Sequence, residues 1–268
     1  MGENTKLLRN RIKSVNNTLH LTKAMGLVAS SKIRRASEAY SGSRDYSESL
    51  FEVLEALSAS KDCERSIYFT NNSETEKIKL IVIAGDRGLA GGYNNNIFRM
   101  LRNFDNAQLV TIGKRACDRF SKETVSAESF SAKASYDLAK KLCSEYESKE
   151  FTTLGIVATR YVSMMKQEAY FERLLPLKKQ STPVRSSIII EPNAEEIMQT
   201  VIIEYLAGVI SRAVKESFLC EVVSRKTAMD SAGKNAKQMT DDLQLAYNRA
   251  RQGAITQEIT EIVAGSRA

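Results

Sequence analysis

Small and apolar residues recur along the first forty positions in steps of four and three: Leu8, Ile12, Val15, Leu19, Thr22, Gly26, Ala29, Ile33, Ala36 and Tyr40. This is an unbroken heptad register, the pattern of a helix wound on a partner helix. Thr22, Gly26, Ala29 and Ala36 keep the seam thin, so the partner backbone can come close in its middle. Apolar residues return at Leu50, Phe51, Leu54 and Leu57, and the polar stretch around Asn71 to Thr75 ends the pattern. The spacing predicts one helix over residues 1–57, roughly 80 Å long at ~1.5 Å per residue.

Beyond Pro192, the last proline, apolar and small residues recur at Leu206, Val209, Ala213, Cys220 and Val223, then at Leu243, Ala246, Ala250 and Gly253. The same threes and fours predict a second very long helix, over 194–268. Gly208, Gly233 and Gly253 each cost it ~1 kcal/mol relative to alanine. Bends or close contacts are expected at these glycines, and Gly233, in the polar run DSAGKNAKQ, is the best candidate for a bend.

Residues 77–191 have a different texture. Apolar, β-rich runs at 77–84, 108–113 and 151–159 alternate with helical stretches near 94–104, 114–121 and 132–147. Strand and helix in alternation predict a small α/β, Rossmann-like domain with a mainly parallel sheet. Pro176, Pro183 and Pro192 punctuate its exit, and RSSIIIEP reads as a last strand. The fold class expected is therefore α/β, with a long antiparallel coiled coil of N- and C-terminal helices rooted in that domain. The longer C-terminal helix should overhang its partner and end as a rod tipped by Ile255, Ile259, Ile262 and Val263. An apolar tip on a lone helix calls for a surrounding sleeve.

The 43% hydrophobic share and 268-residue length suit one or two packed domains. No run approaches the ~18–20 consecutive apolar residues of a membrane span. The first residues, MGENTKLLRNRIKSV, lack a secretory signal pattern, so a cytoplasmic setting is expected. Cys63, Cys117, Cys143 and Cys220 lie far apart, with His20 the single histidine, which suits reduced buried thiols and neither zinc nor a disulfide framework. The net charge is +7, and from Asn4 to Ser37 every charge is basic: Lys6, Arg9, Arg11, Lys13, Lys23, Lys32, Arg34 and Arg35. Something negatively charged should face this segment.

The glycine-rich segment Gly85 to Gly92 follows a strand and precedes a helix, where a phosphate loop would lie. Its G-x-x-G-x-x-G spacing matches neither the dinucleotide fingerprint nor a Walker loop, which needs Gly-Lys followed by Ser or Thr. The simpler role is a sharp turn with close strand–helix contact. His20 has no nucleophile suggested beside it, and the adjacent pairs Asp241-Asp242 and Glu195-Glu196 point in different directions on a helix. No catalytic residue, cofactor or metal is expected. Arg249, Arg251 and Gln252 set charge and hydrogen-bonding groups just below the apolar tip, in the region expected to lack its partner helix, where a carboxylate on a surrounding protein would be a natural counterpart. The same side chains would also serve as a solvated face.

Three segments carry a resemblance to one family. Arg11 to Val15, Leu21 to Met25 and Val28 to Lys32 resemble the N-terminal helix of ATP synthase gamma subunits. Asp86 to Asn94 resembles the family's glycine loop, with Ala90 where cysteine is common. Leu243 to Asn248 and Arg251 to Val263 resemble its C-terminal signature, departing only near the end at Gly265-Ser266. The matches bracket the whole chain in order.

The resemblance implies a rotating coiled-coil shaft inside a ring of alternating alpha and beta subunits. It also implies an α/β foot on the membrane rotor ring of c subunits, beside an epsilon (or delta-like) stalk subunit. Nucleotide chemistry would belong to alpha and beta. It assigns Met25, Arg225, Arg251, Gln252 and Thr256 to contacts with beta, and Lys23 and Arg249 join them by charge and proximity. Without a chloroplast-type Cys-rich insertion, a bacterial enzyme on the cytoplasmic face of the plasma membrane is expected. Two other classes stand beside this one. A basic coiled coil binding nucleic acid would explain Lys6 to Arg35, but aromatics are not interleaved there. A Rossmann-like nucleotide-binding enzyme would explain the middle third and leave both helices without a role.

Overall fold

A computed structural model describes residues 2–58, 66–69, 76–121, 123–177 and 194–266. The elements run α1 (Gly2–Ser58), β1 (Ile78–Ile83), α2 (Tyr93–Leu101), β2 (Gln108–Ile112), α3 (Lys114–Phe120), α4 (Ala132–Glu147), β3 (Thr153–Tyr161), β4 (Gln167–Leu175) and α5 (Ala194–Gly265). Contacts divide the chain into two units. One holds the residues up to Ser30 together with those from Arg225 onward, and the other holds Ser31–Ser224. The strand expected at RSSIIIEP lies outside the described residues.

In the Ser31–Ser224 unit the sheet order is β2-β1-β3-β4, parallel through β3 and antiparallel for β4. β1 reads IKLIVI, apolar on both sides because both faces of the sheet are covered. Its alternate side chains go to different cores. Ile81 and Ile83, with Ile156 and Ala158 of β3, meet α4 and the Met198 to Val214 stretch of α5. Leu80 and Val82, with Val157, meet Tyr93, Ile97 and Leu101 of α2. Each such aliphatic side chain, fully buried, is worth ~1.5–3 kcal/mol. α4 starts cleanly because the Ser131 hydroxyl caps it, accepting from the Ala134 amide at 3.1 Å.

The strand β4 is not visible in the apolar runs. Its sequence, QEAYFERLL, carries charge at Glu168, Glu172 and Arg173, as an edge strand open to solvent tolerates. A hairpin brings it against β3, with a register shift between Leu154 and Gly155. A Cβ at Gly155 would fall 2.4 Å from the Phe171 ring, so only glycine fits there.

The other unit is an antiparallel helix pair. On α1 the heptad positions Leu8, Ile12, Val15, Leu19, Thr22, Gly26 and Ala29 are all half-buried or buried, and Thr5, Asn16 and Met25 beside them are half-buried too. Thr240 donates to the Asn16 Oδ1 at 3.4 Å. A Cβ at Gly26 would lie 3.7 Å from Met229, and one at Gly233 would lie 3.5 Å from the Thr22 hydroxyl. Residue numbers falling on α5 while rising on α1 fix the antiparallel sense. On α5 the seam differs from expectation toward its end: Ala246 and Gly253 are exposed, while Leu243, Tyr247, Ala250 and Ala254 face inward. A four-residue step after Leu243 brings Tyr247 to the seam in place of Ala246.

The helix α5 is unbroken through Gly208, Gly233 and Gly253. Gly233 sits against Thr22 of α1, with room for a Cβ at ordinary contact distance. Among the described residues, α5 is also the one helix long and apolar enough by length and composition to cross a membrane. Its apolar residues Ile202, Leu206, Ile210 and Val214 instead fill the core against the sheet.

Candidate partner interface

In an open α/β sheet, ligands bind outside the carboxyl ends of the strands, where the strand order reverses. Here that point lies between β1 and β3, and α5 occupies it. Tyr161, ending β3, donates its amide to Glu216 Oε1 at 2.9 Å. Thr159 donates its amide to the Ser217 hydroxyl at 3.2 Å. Past β1, the Asp86 amide donates to Glu221 Oε2 at 3.3 Å, and Tyr93 donates its hydroxyl to the Ser217 carbonyl at 2.9 Å. Burial pushes the Tyr93 phenol well above its ordinary range. Glu216, Ser217 and Glu221 are themselves buried. Backbone donors that could cradle a phosphate are thus taken by carboxylates and a hydroxyl of the chain's own helix.

The glycine loop follows from this closure. A Cβ at Gly85 would meet the Glu221 side chain at 2.7 Å, and one at Gly113, whose φ is +97°, would meet the Ala84 carbonyl at 1.9 Å. Gly91 has φ 58°, the left-handed region that favours glycine. Asp86 ties the loop down, accepting from the Lys114 amide at 3.0 Å, the Ala127 amide at 2.9 Å, the Glu128 amide at 3.0 Å and the Ser126 hydroxyl at 2.6 Å. Burial alone would raise the Asp86 pKa. The hydrogen bonds outweigh it and hold the carboxyl below its usual range. Glu128, so placed, pairs with Lys32 of α1. Among the described residues no group of His, Cys, Asp or Glu side chains is placed to hold a metal ion. Cys117, Cys143 and Cys220 are free and buried, and Cys63 lies outside the described residues.

The interface residues expected from sequence fall in the helix-pair unit, at two levels. Lys23 is exposed, and Met25 and Arg225 are half-buried. Arg249, Arg251, Gln252 and Thr256 are exposed, and the Thr256 hydroxyl donates to the Gln252 carbonyl at 2.9 Å. Along α5 the two levels are about 39 Å apart, measured from Arg225 to Arg251 at ~1.5 Å per residue. Carried on residue for residue, the Asn16–Thr240 pairing sets Thr5 opposite Arg251. Arg251 and Gln252, expected on the uncovered overhang, are instead still alongside the first turn of α1, because that helix starts at Gly2, and the uncovered rod begins only after Ala254. Every residue from Ile255 to Ser266 is exposed. Sequence reasoning missed Glu216, Ser217 and Glu221; the available signal was two glutamates inside the otherwise apolar run ESFLCEVV.

One unit is thus an antiparallel helix pair that ends in an exposed single helix, and the other an α/β domain whose ligand crevice is filled by its own helix. The profile of the family described as ATP synthase matches residues 4–268. The ATP synthase gamma chain of Ruminococcus albus is 37% identical over 284 residues, covering 98% of each chain. The sodium-ion-specific ATP synthase gamma chain of Acetobacterium woodii is 34% identical over 301 residues, covering 100% of this chain and 99% of the other. The fold matches a chain of the Euglena gracilis mitochondrial ATP synthase with a TM-score of 0.69 at 18% identity, covering 100% of this chain and 95% of that one. The chain belongs to the ATP synthase gamma-chain family. It is a non-catalytic central-stalk subunit of a membrane-associated complex and is itself peripheral to the membrane. The nucleic-acid-binding and Rossmann-enzyme readings are without support.

Proposed function

We propose that this chain turns inside a ring of alternating alpha and beta subunits, coupling ion flow to ATP synthesis and hydrolysis in beta. Its α/β domain stands on the rotor ring of c subunits beside an epsilon-type subunit, on the cytoplasmic face of a bacterial plasma membrane. The coupling ion is a proton or a sodium ion. The observation that carries this reading is the bare rod. Ile255, Ile259, Ile262 and Val263 are 45%, 57%, 71% and 48% exposed, and Leu21, Leu27 and Val28 of α1 are 60%, 73% and 58% exposed. An apolar surface of that extent on one helix pair is the mark of a partner cavity.

In this reading Lys23, Met25 and Arg225 form one contact level with beta, and Arg249, Arg251, Gln252 and Thr256 form the second. The exposed guanidinium groups of Arg249 and Arg251, on α5 just before the rod, meet beta-subunit carboxylates. Affinity-tagged chain, expressed in its own host, should bring down a nucleotide-binding hexamer and a small membrane proteolipid. Recovery of the chain alone, or with nucleic acid, would overturn the reading.

A further inference from the structure

We propose that Glu216 is a positioning residue for torque transfer, a buried key that fixes the rotational setting of α5 against both α1 and the sheet. The inference rests on the stalk function proposed above. Glu216 is 3% exposed. Its Oε1 accepts from the Tyr40 hydroxyl of α1 at 3.2 Å and from the Tyr161 amide of β3 at 2.9 Å. One oxygen therefore holds two other elements to α5. The next residue adds two further bonds, from Tyr93 to the Ser217 carbonyl and from Thr159 to its hydroxyl.

The surroundings explain why this is a key and not packing. Ala36, Leu219 and Val223 form a buried apolar cluster at this level, with Ile33, Tyr40 and Phe218 against it. Apolar contact is non-directional, so it holds the helix to the sheet without fixing its angle. Hydrogen bonds weaken steeply off axis and so resist rotation of α5 about its own length. A leucine at this position would fill a similar volume without a buried charge. Burying a carboxylate is unfavourable unless it is hydrogen-bonded, and what it supplies in return is a defined geometry. In a shaft that must turn as one body with its foot, that geometry is the functional quantity.

The test compares Glu216→Leu, Glu216→Gln and Tyr40→Phe with wild type in the whole, membrane-reconstituted complex. The measured quantities are ATP hydrolysis and ions pumped per ATP hydrolysed. Glu216→Leu is expected to assemble and hydrolyse ATP yet pump several-fold fewer ions per ATP. Glu216→Gln should restore the ratio, because its carbonyl oxygen accepts from both donors. An assembled Glu216→Leu complex with the wild-type ratio overturns the proposal, as does a Gln variant as defective as Leu. Should Glu216→Leu fail to assemble, Tyr40→Phe decides: a lowered ratio supports the key and an unchanged ratio overturns it. A wild-type chain that assembles with no head or ring overturns the stalk function instead, before any variant is compared.

Discussion

Ser126 donates its hydroxyl to the Asp86 carboxylate at 2.6 Å, joining the loop after β1 to the segment that leads into α4. Three backbone amides complete the cradle. Asp86→Ala leaves these donors without their acceptor in a half-buried site. A hydrogen bond to a charged group is worth ~1.5–3 kcal/mol net, and the bonds are not additive. The expected loss is about 2–3 kcal/mol in a urea melt of the isolated chain, with Asp86→Asn in between.

The same carboxylate sets an acid dependence. Its folded-state pKa lies below the ordinary 3.8, so the ionised form is favoured by folding. Its contribution is fully present above that ordinary value and is lost as pH falls through the lowered folded value. The stability difference between wild type and Asp86→Asn should be constant near neutral pH. It should shrink only as the solution becomes more acidic than the ordinary carboxylate value. A difference that fades between pH ~7 and ~5 would contradict the assignment.

Two glycines should respond oppositely to alanine. At Gly85 the added methyl meets Glu221 at 2.7 Å, and overpacking of this kind costs ~1–3 kcal/mol. At Gly42, exposed on α1, nothing lies within 4 Å, so Gly42→Ala should gain ~0.5–1 kcal/mol from helix propensity. Paired thermal melts of the two variants check both signs.

At the helix pair, Ala29 is 3% exposed, so the larger side chain of Ala29→Leu must be accommodated by pushing its neighbours apart. The expected cost is ~1–3 kcal/mol, together with reduced recovery of assembled complex. Unchanged assembly and melting temperature would show that Ala29 does not face the seam.

Exposed and without a structural duty to the fold, Arg251 and Gln252 are expected to act only in the assembled motor. The double variant Arg251→Ala, Gln252→Ala should co-purify with its partners in normal yield while altering steady-state ATPase and ATP-driven pumping. A charged hydrogen bond of ~1.5–3 kcal/mol is enough to bias one rotational position by roughly ten-fold or more. Wild-type turnover, pumping ratio and rotational dwells in the double variant would refute a contact role. Failed co-purification would assign the residues to packing inside the sleeve.

The long helices, three of the four strands among the described residues and the thin seam were legible along the chain, because each is a local pattern. Leu8 to Tyr40 repeat every three or four residues, and Leu80 to Ala84 form a continuous apolar run. β4 was not legible, since QEAYFERLL is an edge strand whose burial is set by its partner β3 and not by its own alternation. The seam of α5 past Leu243 was read one residue off at Ala246, where small residues on neighbouring faces make the periodicity ambiguous.

By itself the sequence determined a shaft: two helices with matching periodicity, an α/β segment between them, and exposed guanidinium groups near an apolar end. Only the tertiary structure decided what the α/β domain does with its ligand crevice. Gly85 and Glu221, or Tyr40 and Glu216, lie far apart along the chain, and no local pattern connects a glycine in a loop to a carboxylate on a distant helix. Their meeting depends on where α5 crosses the strand ends, and that is set by the packing of both sheet faces at once.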